Sequence, residues 1–172
     1  MAFTKAGSLD SHGAPVMRNS IITNSVALVV NDSVKTSSGF LALGTAGVAV
    51  FGHVDSIVTY KDTGMTTTGV AGAEVGSYVN AFTAASTNQT VAKVSGKCDI
   101  SQNTLYSAEL DATIGTTTGS NLLGYRLDLI DEDTLDESSA ATTTAQYYNW
   151  GVDPLNSARI IVSIFESEVF NS

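Results

Sequence analysis

No segment of this chain carries a sustained helical stripe. Its apolar residues fall instead in short β-branched runs, cut by Gly, Asn and Asp at roughly eight- to twelve-residue spacing. Such punctuation leaves room for strands and turns but not for helices. The fold class it predicts is all-β, a small β-barrel or sandwich of short antiparallel strands. The clearest run is the last, Ala158-Arg159-Ile160-Ile161-Val162-Ser163-Ile164-Phe165-Glu166. There Ile160, Val162 and Ile164 share one face, and Ile161, Ser163 and Phe165 share the other. Both faces are largely apolar, so this strand belongs in the middle of a sheet or under cover on both sides. A turn at Asp153-Pro154 lets it pair antiparallel with Tyr147–Val152.

Upstream, Ile21–Val30, Val34–Thr36, Phe40–Leu43, Val48–Tyr60, Thr90–Ser95, Leu105–Ile114 and Leu122–Ile130 read as further strands. Asn31-Asp32-Ser33, Ser37-Ser38-Gly39 and Gly44-Thr45-Ala46-Gly47 supply turns, and Gly52 marks a bulge. Residues 1–20 follow neither period and read as an extended N-terminal arm that a neighbour would order. Residues 21–172 then form a single β-rich domain, as suits a chain of 172 residues. Within it, residues 61–89 form a long excursion loop fit for partner contact. Asp131 to Ala141, acidic and small, reads as an exposed loop, and no repeat of fixed period is visible.

Charge narrows the partners. Seventeen acidic residues against eight basic ones give a net charge of −9, and no Lys/Arg-rich run occurs. Such a surface repels phosphate backbones and anionic lipid, so neither nucleic acid nor membrane is an expected partner. Charged residues make up only 15% of the chain, below the usual quarter, and Thr and Ser are abundant. Uncharged polar loops of this kind suit a packed assembly. The single Cys98 cannot form an internal disulfide, which points to synthesis in a reducing compartment. Met1–Gly7 lacks the apolar core of a secretory signal, and no stretch approaches eighteen apolar residues, so a soluble protein is expected.

The motifs point away from catalysis. His53 and Asp55 share a strand face, but no Gly-x-Ser-x-Gly elbow supplies a nucleophile, so a plain structural pair is the expected role. Asp128, Asp131, Glu132, Asp133, Asp136 and Glu137 offer oxygen ligands but lack the glycine and spacing of a calcium loop. One cysteine and two histidines do not make a closed zinc site, and no phosphate-cradling glycine motif is present. No catalytic residue, metal ligand or cofactor is therefore expected. Tyr147, Tyr148 and Trp150 form the one dense aromatic cluster. They are either core packing or the anchor of an interface, where Tyr and Trp dominate the binding energy.

Two stretches carry a resemblance. Val29-Val30-Asn31-Asp32-Ser33-Val34-Lys35-Thr36-Ser37-Ser38-Gly39-Phe40-Leu41-Ala42, followed by Ala46-Gly47-Val48-Ala49-Val50-Phe51-Gly52-His53-Val54, resembles the small-barrel decoration proteins of tailed-phage heads. Asn31-Asp32-Ser33 stands where that family has a Gly-Asp step, and Gly52-His53-Val54 where it has Gly-Val. Residues 142–170 look like the closing part of the same proteins. The resemblance implies a non-enzymatic capsid decoration, or cement, protein made in the host cytoplasm. It would sit on the outside of the virion against the major capsid protein, as a homo-oligomer and by preference a trimer. A tail or baseplate component, or a carbohydrate-binding β-sandwich with Tyr147, Tyr148 and Trp150 as its platform, are the other expectations.

Overall fold

In the computed structural model the described residues are 3–10, 15–23, 26–60, 78–79, 81–82, 93–111, 123–140 and 146–165. Among them every regular element is a strand. In chain order these are β1 (Thr4–Ser8), β2 (Met17–Ile21), β3 (Leu28–Val29), β4 (Ser33–Ser37), β5 (Phe40–Leu43), β6 (Gly52–Tyr60) and β7 (Tyr78–Val79). There follow β8 (Ala81–Phe82), β9 (Lys93–Asp99), β10 (Thr104–Leu110), β11 (Arg126–Leu129), β12 (Thr134–Ala140), β13 (Tyr147–Asp153) and β14 (Asn156–Ile164).

The strands build two rings. One sheet runs β1-β10-β12-β11-β13-β14, and β14 returns to pair with β10, so β10, β12, β11, β13 and β14 close on themselves. The other runs β2-β9-β6-β4-β5, and a parallel bridge from Ile22, just past β2, to Leu41 of β5 joins its two ends. Closure removes the exposed edges that an open sheet of this size would present. Each ring has its own core. Ile22, Leu28, Val34, Leu41, Val54, Ile57, Cys98 and Ile100 cluster in the first. Tyr106, Ala108, Leu127, Leu129, Leu135, Tyr147, Ile160, Val162 and Ile164 cluster in the second, joined by Phe3 and Val50.

The two rings repeat one another. Numbered within its own ring, each set of five strands closes in the order first, third, second, fourth, fifth. In both, the first and third strands meet in parallel, at Ile22↔Leu41 and at Leu110↔Leu135, although short antiparallel pairs dominate elsewhere. The hydrogen bond from Thr23 N–H to the Leu41 carbonyl (2.8 Å) returns as Asp111 N–H to Leu135 (3.0 Å). The bond from Phe51 N–H to Val34 returns as Gln146 N–H to Leu127. Ahead of the second strand, a residue of positive φ donates to the fourth: Asn31 (φ 82°) to Val54, and Gly124 (φ 84°) to Asn149. Asn and Gly are the residues that tolerate that left-handed backbone. Even the bulge recurs, between Val54 and Ser56 opposite β9 and between Asn149 and Gly151 opposite β14.

Local chemistry explains the turns. Ser38 (φ 52°) and Gly39 (φ 83°) form the two-residue turn between β4 and β5, both left-handed as a tight hairpin of that twist requires. Asp153 Oδ1 accepts the Leu155 N–H at 2.8 Å and shapes the β13–β14 hairpin. Gly52 is not a bulge. A Cβ there would lie 2.5 Å from the Asp99 carbonyl oxygen, so glycine is needed for close approach of β6 to β9.

Two sequence expectations need correction. The described residues of 1–20 are not a free arm: Thr4–Ser8 pairs with β10, Met17–Ile21 pairs with β9, and Phe3 is fully buried. The stretch from Asp131 to Ala141 is not all loop, because β12 occupies Thr134–Ala140 and sits between β10 and β11 with Leu135 in the core. Its polar composition hid the strand, because Leu135 is its one large apolar residue. Of the excursion loop 61–89, the short strands β7 and β8 are described, pairing with β6 and β3; the rest lies outside the described residues.

Candidate functional site: a buried histidine hub and an exposed aromatic face

The alternation of β13 sends its aromatic residues to opposite sides. Tyr147 points into the second ring and is fully buried, which removes it as an interface residue. Its hydroxyl lies 2.8 Å from Ser33 Oγ and 2.9 Å from His53 Nε2. His53 Nδ1 lies 3.2 Å from the Asn31 carbonyl, which can only accept. The proton is therefore on Nδ1, Nε2 accepts from the Tyr147 hydroxyl, and Ser33 donates to the tyrosine oxygen. Phe3 stacks on Tyr147 (centroids 5.2 Å apart, 24°), and Tyr106 lies over the His53 ring at 4.0 Å.

This hub fastens the rings together. Ser33 and His53 belong to the first ring, Tyr147 and Tyr106 to the second. Gln146 adds a second tie: its side-chain amide donates to the Thr45 and Val48 carbonyls, and its Oε1 accepts the Leu129 N–H. Asp99, also buried, accepts from Lys5 Nζ and Thr104 Oγ1. Every partner of His53 is thus an architectural one, and Asp55 is the exposed bulge residue of β6. No serine–histidine–aspartate geometry exists there.

Burial lowers the His53 pKa to about 4, against the bond to Asn31 and the field of Asp99. Burial raises Asp32 to about 6, helped by Glu132 and Asp133 and opposed by the Val29 N–H. The signs differ. The neutral histidine contributes stability above pH 6.5 that is lost as pH falls towards 4, about 3 kcal/mol in full. Protonated Asp32 contributes stability below its ordinary 3.8 that is lost as pH rises through 6, a smaller effect because that carboxyl is partly solvated. The two oppose each other between pH 4 and 6.5. Asp32→Asn is expected to remove the compensation, so its melting temperature should fall more steeply than that of the wild type from pH 6.5 to 4.5. Parallel melting curves would contradict this assignment.

Tyr148 and Trp150 face outwards. Their rings meet at 4.7 Å and 58°, and the Trp150 Nε1–H donates to Ser163 Oγ at 3.0 Å. Trp150 is 43% exposed, Tyr148 is half-buried, and Leu123 (66%) and Tyr125 are exposed on the approach to β11. Gly151 holds a φ of 115°, and a Cβ there would touch Leu123 at 3.6 Å. Arg126 lies 4.0 Å over the Phe165 ring and fixes the border of this face. These side chains form an apolar patch on the outside of a closed ring. Tyr148 and Trp150 stand out in the sequence as part of its aromatic cluster, whereas Leu123 and Tyr125 do not, because their short approach to β11 carries no period.

The other chemistry is accounted for within the fold. The acidic turn Asp131–Asp133 is closed by a bond from the Asp133 N–H to Asp131 Oδ1, and among the described residues no three acidic, His or Cys side chains converge as a metal cage. Cys98 is buried and its thiol pushed up to about 12. A cleft of about 590 Å³ beside the β13–β14 hairpin has its charges engaged: Arg159 binds Ser107 and Glu109, and Ser107 donates to Asp153. No known family, curated protein or solved structure matches the chain.

Proposed function

We propose that this protein is a virion structural protein that decorates and stabilises the outside of a tailed-phage capsid through protein–protein contacts. The observation that carries the reading is the aromatic face on the outside of a closed ring, where Leu123, Tyr125 and Trp150 are exposed around a half-buried Tyr148. Aromatic anchors on a fixed backbone lose little conformational freedom on docking, which is what a stable shell contact needs. The resemblance of residues 29–54 to decoration proteins, the net charge of −9 and the Thr/Ser-rich surface point the same way. Rings that meet at 58° do not offer a shared flat surface for a sugar, which favours a protein over a carbohydrate partner.

The proposed partners are the major capsid protein and further copies of this chain. Purified protein mixed with undecorated capsids should co-sediment and saturate at a fixed ratio to capsid subunits, as a symmetric lattice requires. Protein left entirely in the supernatant at high concentration would overturn the reading.

A further inference from the structure

The repeated rings identify what the aromatic face is built to receive. Their matched registers place Tyr148 where the first ring has His53, Arg126 where it has Ser33, Ser163 where it has Asp99, and the bulge residue Trp150 where it has Asp55. In the first ring this outer face is covered: Tyr106 of the second ring lies over His53, and Tyr147 bonds to His53 and Ser33. In the second ring the equivalent face is the exposed aromatic one.

We propose that this face binds a second copy of the chain head to tail, continuing between molecules the packing that joins the two rings within one. The inference rests on the reading of the face as a protein contact and names as its occupant a second copy, through which uptake onto a capsid lattice would be reinforced. The same registers identify the opposing residue. Tyr106 faces Val162 across β10 and β14, and its counterpart Arg18 faces Cys98 across β2 and β9. Repeating the contact one ring further therefore brings Arg18 of the second copy over Tyr148 and Trp150. Arg18 is exposed, and a guanidinium over tyrosine and tryptophan rings is a favourable pairing, stronger as water is excluded. Where Tyr106 meets an imidazole inside the molecule, an arginine would meet aromatic rings between molecules. Such a contact is heterologous, so it extends into a chain or closes into a ring and does not stop at a two-fold dimer.

Sedimentation velocity of the free protein, without capsids, tests this. The wild type is expected to grow beyond a dimer as concentration rises. Trp150→Ala and Arg18→Glu should each weaken association by about tenfold or more, as loss of a central anchor does. Arg18 is exposed, so Arg18→Glu should melt as the wild type does; Trp150→Ala gives up its bond to Ser163 and should keep a cooperative melt at a somewhat lower temperature, and Tyr125→Ser offers a second probe of the face. The decisive arm is a mixture. Trp150→Ala keeps an intact tail and Arg18→Glu an intact face, so together they should form a one-to-one dimer that grows no further. A wild type that stays monomeric, association that survives either substitution, or a mixture that fails to pair would each overturn the proposal. Capsid uptake by a protein that stays monomeric in solution would leave the decoration reading standing while this inference falls. Self-association without capsid uptake would do the reverse.

Discussion

Ile160→Asp is expected to yield no folded protein. Ile160 is almost fully buried in the second core, on β14, whose two edges are bonded to β13 and β10. Its neighbours across the ladders are Ala108 and Val152, and neither offers a hydrogen bond to a carboxylate from its side chain. Burying an unpaired carboxyl costs several kcal/mol, on the order of a domain's whole stability of about 5–15 kcal/mol. Ile164→Asp should behave alike. Glu132→Ala is the control, because Ser33 N–H bonds to the Glu132 carbonyl, which alanine keeps. Expression of the three variants, with thermal melting of whatever stays soluble, checks this. Cooperative melting of Ile160→Asp at the wild-type temperature would contradict the core assignment.

Phe3→Ala should be nearly as damaging, with a loss of about 3–5 kcal/mol in urea unfolding. Its ring is fully buried between Tyr147, His53 and Tyr106, at the junction of the two rings, where no side chain can collapse into the space without breaking the histidine hub. Removing residues 2–16 would take Phe3 and all of β1 and should destabilise further. A protein that uses residues 1–20 only to reach a neighbour would keep its stability in both variants. The measured unfolding free energy therefore separates the docked segment from a free arm.

Strands whose apolar residues alternate were legible in the sequence. The assignment of Ile160, Val162 and Ile164 to one face, and of the Tyr147–Val152 segment as the antiparallel partner, follows from period two and a turn, and both appear in the structure. The all-β class follows for the same reason. Three features were not legible. β1 has every residue exposed apart from the Phe3 that precedes it, so no alternation betrays it. Tyr147 and Tyr148 are adjacent and chemically alike, and only the phase of β13 decides which one is buried. The repeat was hidden by unequal connections: residues 61–92 join the fourth and fifth strands in the first ring, while Pro154 and Leu155 alone do so in the second. Matched positions such as Val54 and Asn149, or Cys98 and Val162, keep the backbone bonds while changing the side chain. Hydrogen-bond registers carry that likeness, and residue identities do not.

The outer face of the second ring, and not its equivalent on the first, is proposed as the contact surface of this protein. Co-sedimentation of three proteins with undecorated capsids tests it most directly: wild type, Trp150→Ala, and Asp55→Ala at the matching bulge of the first ring. The expected result is saturable uptake of wild type and Asp55→Ala, with uptake of Trp150→Ala weakened about tenfold or more. Uptake of Trp150→Ala indistinguishable from wild type would contradict the claim.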